Sequence, residues 1–582
     1  MDFKNTAFGY KWILPVGLGA YILFFYIYVI LTVQNIPTWD DLFMLEWLVR
    51  FQQELSFINK VKLLFEQHAD HILLVGRFLT IIFTDISSSS NIYFFTLFHS
   101  LFLLIIPYVF YLYCIRENVK LYHLSVPILL LFSIHYYHGL IVMGCFNHTL
   151  LYGFSFAVIY LLSYKKNTWD IYLSILLSVL VQFSNTAGTF LLITGAIILL
   201  LQADWKSLIR WSLFSGLILG SFFSIYQKPA WSPDFKISHL PDQWFLYLKG
   251  FFGEIGGVFS FLKDYHARYF TGIESFGFYF QYSYLAFGAG IVIFLIILIP
   301  LIKYLLDYIR SGKLTNGTIF LVGTTVFLFG LVFSAAILRL SNEDSLLSLF
   351  VSRYKLLSIC LLISGYFLVI SLFSKQNVRK GIWAIASLGS LLLGLFGYFE
   401  YFVPSQNYYK THFACLLDWE YRNKNTLYYP SKEVNETAFN YWKMIIEKGL
   451  YEQPALVRQV KQRFSEGINS VKEKSSDWRV TRDIPEHVIL SKEEIDFNPY
   501  WGLDGNYLVL WNKQQTTWQW LVASKERQTI PNVVKGKGLL KNQVKIRLYE
   551  SQYKEMDLAK CYLLQVHQNQ IQLKRVSFSQ FL

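Results

Sequence analysis

The chain has 582 residues, of which 54% are hydrophobic and 16% are charged, and its formal net charge is +13. A soluble protein carries roughly a quarter charged residues, so this composition excludes an ordinary soluble globular protein and indicates that lipid surrounds much of the chain. The positive charge does not indicate a nucleic-acid partner, because the basic residues lie mostly in short loops between apolar runs and in the C-terminal region.

Apolar runs occupy most of residues 1–403. Crossing about 30 Å of hydrocarbon takes roughly 20 helical residues, and runs of this length predict about eleven transmembrane helices. They begin near Trp12, Asn91, His123, Thr149, Trp169, Thr189, Trp211, Ser283, Gly317, Tyr354 and Ile382. No small-residue cleavage site follows the first run, which therefore predicts a retained helix and not a removed signal peptide. Residues 1–403 are predicted to form an all-α polytopic membrane domain.

Every second loop between these runs is basic, as loops on the cytoplasmic side of a membrane are. The basic loops contain Lys4 and Lys11, Arg116 and Lys120, Lys165 and Lys166, Lys206 and Arg210, Lys303 with Arg310 and Lys313, and Lys375 with Arg379 and Lys380. This alternation predicts a multi-pass protein of the inner (cytoplasmic) membrane with a cytoplasmic N-terminus. With an odd number of spans, the C-terminal region is predicted to be periplasmic or extracellular.

A long outer loop is predicted at about residues 34–90. Within it, residues 42–51 and 58–65 have apolar residues at helical spacing and predict two helices lying along the membrane surface. Residues 72–84 are apolar but too few, at about 13, to span the bilayer, and they contain Arg77. They therefore predict an interfacial or re-entrant helix.

A second long outer loop is predicted at about residues 227–282. Residues 244–252 and 258–269 are aromatic and amphipathic and predict two further short helices at the membrane surface.

The composition changes at Pro404, after which charged residues become frequent and apolar runs shorten. Residues 404–582 are predicted to form a small soluble α+β domain. Its first part, residues 435–474, predicts two helices that are split near Pro454. Alternating apolar and polar residues then predict strands within 507–511, 544–548 and 571–574.

The five cysteines show no CxxC pair and no metal-site spacing, and the sequence has no phosphate-binding loop, nucleophile elbow or HExxH motif. No resident metal or cofactor is therefore predicted. Cys415 and Cys561 both lie in the outer C-terminal region, where an oxidising compartment permits a disulfide between them.

Two adjacent carboxylates follow the first span, in Pro37-Thr38-Trp39-Asp40-Asp41. Such a pair at a membrane surface can supply a general base or bind a metal ion or an ammonium group. The alternative is structural, because Asp40 or Asp41 can cap the helix that begins after them.

The same loop contains His68 and His71, followed by Arg77. If this stretch is helical, the two histidines share one face and could bind a metal ion or a phosphate, although two histidines without a third ligand seldom form a metal site. A cation within an apolar segment needs an anionic partner, so Arg77 is a candidate phosphate ligand, with snorkelling to the interface as the alternative.

A third candidate is Ser352-Arg353-Tyr354, where an outer loop enters the tenth predicted span. Arg353 lies at headgroup depth and suits a bidentate contact with phosphate, whereas an interface anchor is the alternative. Arg339 flanks the same loop. The weaker candidates are Asn147, His148, Glu254, Lys263, His266 and Arg268. All these candidates are predicted on the outer side, where they could line one cavity.

The arrangement of Asp40-Asp41 after the first span, the amphipathic stretch up to Arg77 and the eleven-span, tail-outside layout resembles the GT-C superfamily of membrane glycosyltransferases. Members have an acidic motif in the first outer loop, surface-lying helices within that loop and roughly ten or more spans. The resemblance covers residues 1–403 as architecture. The His-x-x-His and Ser-Arg-Tyr elements also resemble uncharacterised bacterial membrane proteins grouped with this superfamily.

The resemblance implies a polyprenyl-phosphate sugar donor and a glycan, lipid or protein acceptor on the outer face. It implies that Asp40 or Asp41 is the general base and that Arg77 and Arg353, with Tyr354, hold the leaving phosphate. His71, with His68 nearby, would assist as a hydrogen-bond donor.

Two functions of other classes stay open: a lipid or glycan transporter or flippase, and a non-catalytic scaffold for envelope assembly. Transporters place ionisable residues near the membrane midplane. The predicted spans have few such residues at their centres, which disfavours ion-coupled transport.

Overall fold

The computed structural model describes residues 6–69, 71–87, 89–228, 240–260, 279–340, 346–421, 432–468, 473–484, 487–492, 501–527, 535, 540–568 and 570–580. The α-helices up to the second long loop are α1 (Thr6–Thr32), α2 (Trp39–Gln53), α3 (Phe57–Leu64), α4 (Leu74–Ser87), α5 (Ile92–Ser100), α6 (Ile105–Arg116), α7 (Ser125–Leu131), α8 (Tyr137–Ile141), α9 (Phe146–Ser163), α10 (Thr168–Gln182), α11 (Gly188–Leu201) and α12 (Trp205–Ile225). The later α-helices are α13 (Leu240–Ile255), α14 (Tyr279–Ser311), α15 (Asn316–Leu338), α16 (Leu346–Leu349), α17 (Lys355–Ser371), α18 (Gln376–Glu420), α19 (Lys432–Glu447), α20 (Ala455–Gly467) and α21 (Glu550–Glu555).

The chain is a multi-pass membrane protein. Within the described ranges, eight helices are long and apolar enough to cross a membrane: Ile13–Thr32, Ile92–Arg116, Met143–Ser163, Trp205–Ile225, Tyr284–Ser311, Asn316–Leu338, Ser352–Ser371 and Gln376–Glu420. Three other predicted spans coincide with shorter apolar helices at Leu121–Leu131, Thr168–Gln182 and Gly188–Leu201. The predicted count of about eleven is therefore too high by this measure, because a helix of fewer than about 17 residues does not reach across the hydrocarbon.

The predicted helices of the first long loop are confirmed as α2, α3 and α4. Helix α3 has no buried residue, and Leu55, Phe57 and Ile58 at its start are strongly exposed. An exposed apolar face beside lysines is typical of a helix that lies at a membrane surface. In the second loop, α13 confirms the helix predicted over 244–252. Most of the segment 258–269, including Lys263, His266 and Arg268, lies outside the described residues.

Helix α18 connects the membrane region to the C-terminal region. Its 45 residues extend about 67 Å, which is roughly twice the thickness of the hydrocarbon core. In its first half, Leu388, Leu392 and Leu395 are exposed on the protein surface. In its second half, Phe413 and Leu417 are buried. The predicted domain boundary at 403/404 falls inside this helix, which continues through Pro404.

The C-terminal region contains one eight-stranded sheet, which bears out the predicted β-sheet character. Its strands are β1 (Glu473–Ile484), β2 (His487–Lys492), β3 (Gly505–Asn512), β4 (Thr517–Val522), β5 (Ser524–Arg527), β6 (Leu540–Tyr549), β7 (Met556–His567) and β8 (Gln570–Gln580). The order is β4-β3-β7-β8-β1-β2-β6-β5. Strands β1 and β8 are parallel and the other neighbouring pairs are antiparallel. The three predicted strand segments lie in β3, β6 and β8, and the two predicted helices are α19 and α20.

The sheet packs against the end of α18. The carboxylate of Asp418 accepts hydrogen bonds from the Trp520 backbone N–H and the Gln519 side chain, each at 2.9 Å. Cys415 and Cys561 are both buried, form no disulfide and lie in separate apolar clusters. The suggested disulfide between them is therefore wrong, because Cys415 packs with the helices and Cys561 packs within the sheet.

Candidate functional site

Asp41 lies at the start of α2 and has a structural role. Its Oδ2 accepts hydrogen bonds from the backbone N–H and the hydroxyl of Thr38, each at 2.9 Å, and its Oδ1 accepts one from the Gly144 N–H at 3.0 Å. The side chain is fully buried, and this burial raises the pKa of Asp41 to about 6, although the three hydrogen bonds act in the opposite direction. Asp41 thus completes the capping box of α2, whose N-cap residue is Thr38, and ties α2 to the Met143–Cys145 turn. The structural alternative was right about a capping role, but α2 begins at Trp39, before the two aspartates and not after them.

Asp40, the neighbouring carboxylate, faces a cation. Its Oδ2 lies 3.8 Å from Nη1 of Arg353, and the two side chains are 36% and 28% exposed, respectively. This ion pair joins the start of α2 to the Ser352–Tyr354 turn that precedes α17. A side chain at Gly144 would come within 2.5 Å of the Asp40 Cβ, so the close approach of the turn to α2 requires glycine there.

Tyr354 contacts two guanidinium groups. The Arg339 and Arg353 Cζ atoms are 4.8 Å and 5.2 Å from its ring centroid, and Arg339 also donates a hydrogen bond to its hydroxyl. The ring of His148 packs edge-on against Tyr354 at 5.5 Å. Arg339, Arg353 and His148 therefore pack against one aromatic ring beside Asp40.

Glu254 lies at the end of α13, near Arg339. Its side chain is buried, and its Oε2 has no hydrogen-bond partner among the described residues. Burial raises the pKa of Glu254 to about 8, whereas the positive charge of Arg339 lowers it. A carboxyl in this environment holds its proton at neutral pH.

Sequence reasoning missed the contribution of α18 to this site. Tyr408 of α18 reaches the site through His138: the His138 Nε2 lies 3.2 Å from the Tyr408 hydroxyl, and the His138 backbone N–H donates to the Ser352 hydroxyl at 3.1 Å. The rings of Tyr408 and His412 pack together at 4.6 Å, and the charge of Asp41 acts on Tyr408. The spacing of four between Tyr408 and His412 is a helical signal, which the predicted boundary at residue 404 obscured.

Arg77 has a different environment. Its guanidinium is buried, donates to the carbonyl of Leu64 at 3.0 Å and to that of Glu66, and packs 5.1 Å from the Trp47 ring. Burial lowers the pKa of Arg77 to about 10. These contacts close the C-terminal end of α3, which is a structural role.

His68 and His71 form an isolated antiparallel bridge. The His68 N–H donates to the His71 carbonyl at 2.6 Å, and the His71 N–H donates to the His68 carbonyl at 2.8 Å. The expectation that they share a helical face is therefore wrong. The His68 ring packs on Phe43, and Nδ1 of His71 lies 3.3 Å from the Thr186 hydroxyl, so the bridge links α2 to the turn before α11.

The site combines a partly exposed carboxylate with a pair of guanidinium groups at one end of the helix bundle. Such a set can accept a proton from a hydroxyl and bind an oxyanion. Within the described ranges, no group of three His, Cys, Asp or Glu side chains could hold a metal ion.

Comparison with protein families and with curated proteins finds no match for this chain. Function therefore has to be inferred from the residues of the site.

Proposed function

We propose that the chain is a membrane glycosyltransferase of the GT-C type. It transfers a sugar from a polyprenyl-phosphate donor to a glycan, lipid or protein acceptor on the outer face of the cytoplasmic membrane. The observation that carries this proposal is the ion pair between Asp40 and Arg353. Such a transfer needs a base for the acceptor and a cation for the departing phosphate, and these two groups lie side by side.

Asp40 is the better candidate for the general base. The oxygens of Asp41 are already engaged by three donors and shielded from solvent, whereas Asp40 is partly exposed. In the proposed step, Asp40 takes the proton of the acceptor hydroxyl while the acceptor oxygen bonds to the anomeric carbon. The bond from that carbon to the phosphate oxygen breaks, and the electron pair leaves with the phosphate.

Arg353 and Arg339 are the proposed phosphate ligands. A guanidinium presents paired N–H donors that match two oxygens of a phosphate, and such contacts gain strength as charge develops on the leaving group. Both guanidinium groups contact the Tyr354 ring, which limits their orientations. When a phosphate binds, Arg353 exchanges part of its contact with Asp40 for the phosphate and leaves that carboxylate available to the acceptor.

The outer location of the site is supported by the course of two helices. Helix α9 begins beside the site and ends next to Lys165 and Lys166. Helix α17 likewise begins at Lys355 and ends just before Lys375. The site and the basic loops are therefore at opposite ends of these spans, and basic loops favour the cytoplasmic side.

Transport is the second candidate, and one observation favours it. Lys355 and Glu400 are both buried within membrane-spanning helices, and Lys355 donates to the Tyr401 hydroxyl and to the Ser260 carbonyl. Buried ionisable residues inside spans commonly mark transport pathways. A flippase would move a fluorescent polyprenyl-phosphate lipid across a proteoliposome bilayer without consuming it.

The proposal is tested with purified protein in nanodiscs and a panel of polyprenyl-phosphate sugars. Turnover should fall about 10²–10⁴-fold in Asp40→Asn, since a general base contributes that much. Arg353→Ala should raise the donor KM, and Arg353→Lys should recover part of the loss. Asp85→Asn and Arg310→Ala change exposed residues away from the site and serve as controls. Wild-type turnover in Asp40→Asn, or no transfer from any donor, would contradict the proposal.

A further inference from the structure

A polar cavity lies where α18 meets the edge of the sheet. Its volume is about 40 Å³, and Phe402, Gln406, Lys410, Asn506, Val522 and Lys525 are among the residues that line it. A water molecule needs roughly 10–15 Å³ of such space, so the cavity has room for about three waters or one small ion. It is thus too small for a sugar ring and suits a single small group.

Lys410 enters the cavity from α18. Its side chain is only 5% exposed, and its Cδ would lie 3.4 Å from a Cβ placed on Gly505. Asp504 is the carboxylate whose charge acts on it. However, Asp504 accepts hydrogen bonds from the Gln568 N–H at 3.1 Å and 3.0 Å and pairs with His567 at 3.3 Å. The carboxylate near Lys410 is therefore engaged elsewhere.

Lys525 enters the same cavity from the edge strand β5. Its Nζ is shielded from solvent and has no hydrogen-bond partner among the described residues. Burial lowers the pKa of Lys525, which is the expected response of an ammonium group that lacks compensation. Lys410 and Lys525 thus line the same small cavity, and an anion bound there would compensate the buried ammonium group of Lys525.

The amide of Asn506 adds a donor to the two lysines. Its Oδ1 accepts a hydrogen bond from Gln565 at 2.9 Å, so its NH₂ group is the part that remains to donate. Lysine ammonium groups and amide donors are common ligands of phosphate oxygens in proteins.

We propose that Lys410, Lys525 and Asn506 form a binding site for a phosphate group at the junction of the membrane helix and the C-terminal sheet. The phosphate comes from a lipid headgroup or from a soluble phosphate compound. Lys410 lies about 12 Å along α18 from Phe402, toward the C-terminal sheet. Phe402, Gln406 and Lys410 follow a spacing of four on one face of α18, whereas Tyr408 and His412 face the Asp40 site.

The test follows thermal unfolding of the full chain in phosphatidylcholine nanodiscs as inorganic phosphate is added, with chloride holding the ionic strength constant. The expected result is a saturable rise in Tm, because a ligand that binds the folded state stabilises it. Lys410→Met and Lys525→Met should abolish the rise, and the exposed Lys448→Met should keep it. The ³¹P line width of added phosphate gives a second readout that needs no variant.

A parallel titration in phosphatidylglycerol nanodiscs identifies the source of the phosphate. A lipid headgroup is the source if the Tm before phosphate is added is higher in these nanodiscs and does not rise further when phosphate is added. This higher Tm must also depend on Lys410 and Lys525. Asp40→Asn should retain the response, so this site and the proposed transferase can fail separately. Three results would overturn the proposal. Chloride and phosphate could raise the Tm equally, or the rise could survive both Met substitutions. The wild type could also show neither a Tm rise nor line broadening.

Discussion

The two adjacent aspartates should differ sharply in their effects on stability. In Asp41→Asn, either orientation of the amide turns its NH₂ group toward a backbone N–H, that of Thr38 or that of Gly144. One buried N–H then loses its acceptor, which costs about 1–3 kcal/mol, and the remaining bonds lose their charged acceptor. We expect Asp41→Asn to destabilise the protein by about 2–4 kcal/mol. Asp40→Asn removes a partly exposed pair at 3.8 Å and should cost less than about 1 kcal/mol.

The assay is equilibrium unfolding of the two variants and the wild type in the same detergent at pH 7.5, with Asp85→Asn as the exposed control. We expect a large loss of stability for Asp41→Asn, and near-wild-type stability for Asp40→Asn and the control. A loss in Asp40→Asn equal to that in Asp41→Asn would refute the assignment of the capping role to Asp41.

Three other substitutions probe the site and its support. Glu254 has a pKa raised to about 8, so the folded state holds a proton that the unfolded state releases. As the pH rises from 5 to 8, the free energy of unfolding of the wild type should fall, relative to that of Glu254→Gln, by up to about 1.4 kcal/mol per pH unit. Parallel profiles of unfolding free energy against pH for the two proteins would contradict this. Gly144→Ala should displace Asp40 and lower turnover about tenfold or more, whereas Gly216→Ala, where a Cβ meets nothing within 4 Å, should leave turnover unchanged. Arg77→Met should destabilise the protein by about 2–4 kcal/mol, because two buried carbonyls lose their hydrogen-bond donor. Sugar transfer per folded molecule should stay intact. A selective loss of binding of the sugar donor would instead favour a role of Arg77 in phosphate recognition.

Hydrophobic length predicted the positions of the membrane helices better than their number. The run near His123 is apolar enough for a span, but the helix Leu121–Leu131 ends before a turn that packs against other elements. Composition cannot distinguish one long helix from a short helix followed by a buried turn, because both are apolar. The surface helices of the first loop were predicted correctly because their periodicity and caps are local signals.

The candidate site was predictable as a set of segments, but the roles of its members were not. Asp40 and Asp41 are adjacent in sequence, and three hydrogen bonds from Thr38 and Gly144 decide which one is buried. The contribution of Tyr408 depends on α18 continuing through Pro404, although proline commonly ends a helix. Such long-range contacts leave no periodic pattern in the sequence.

The most direct test of the central claim separates donor binding from transfer in a single turnover. Asp40→Asn would be loaded with a polyprenyl-phosphate sugar that the wild type uses, and acceptor would then be added. A general base at Asp40 predicts that the variant binds donor with wild-type affinity but transfers the sugar at least about 10²-fold more slowly. Transfer by Asp40→Asn at the wild-type rate from the bound donor would contradict that role.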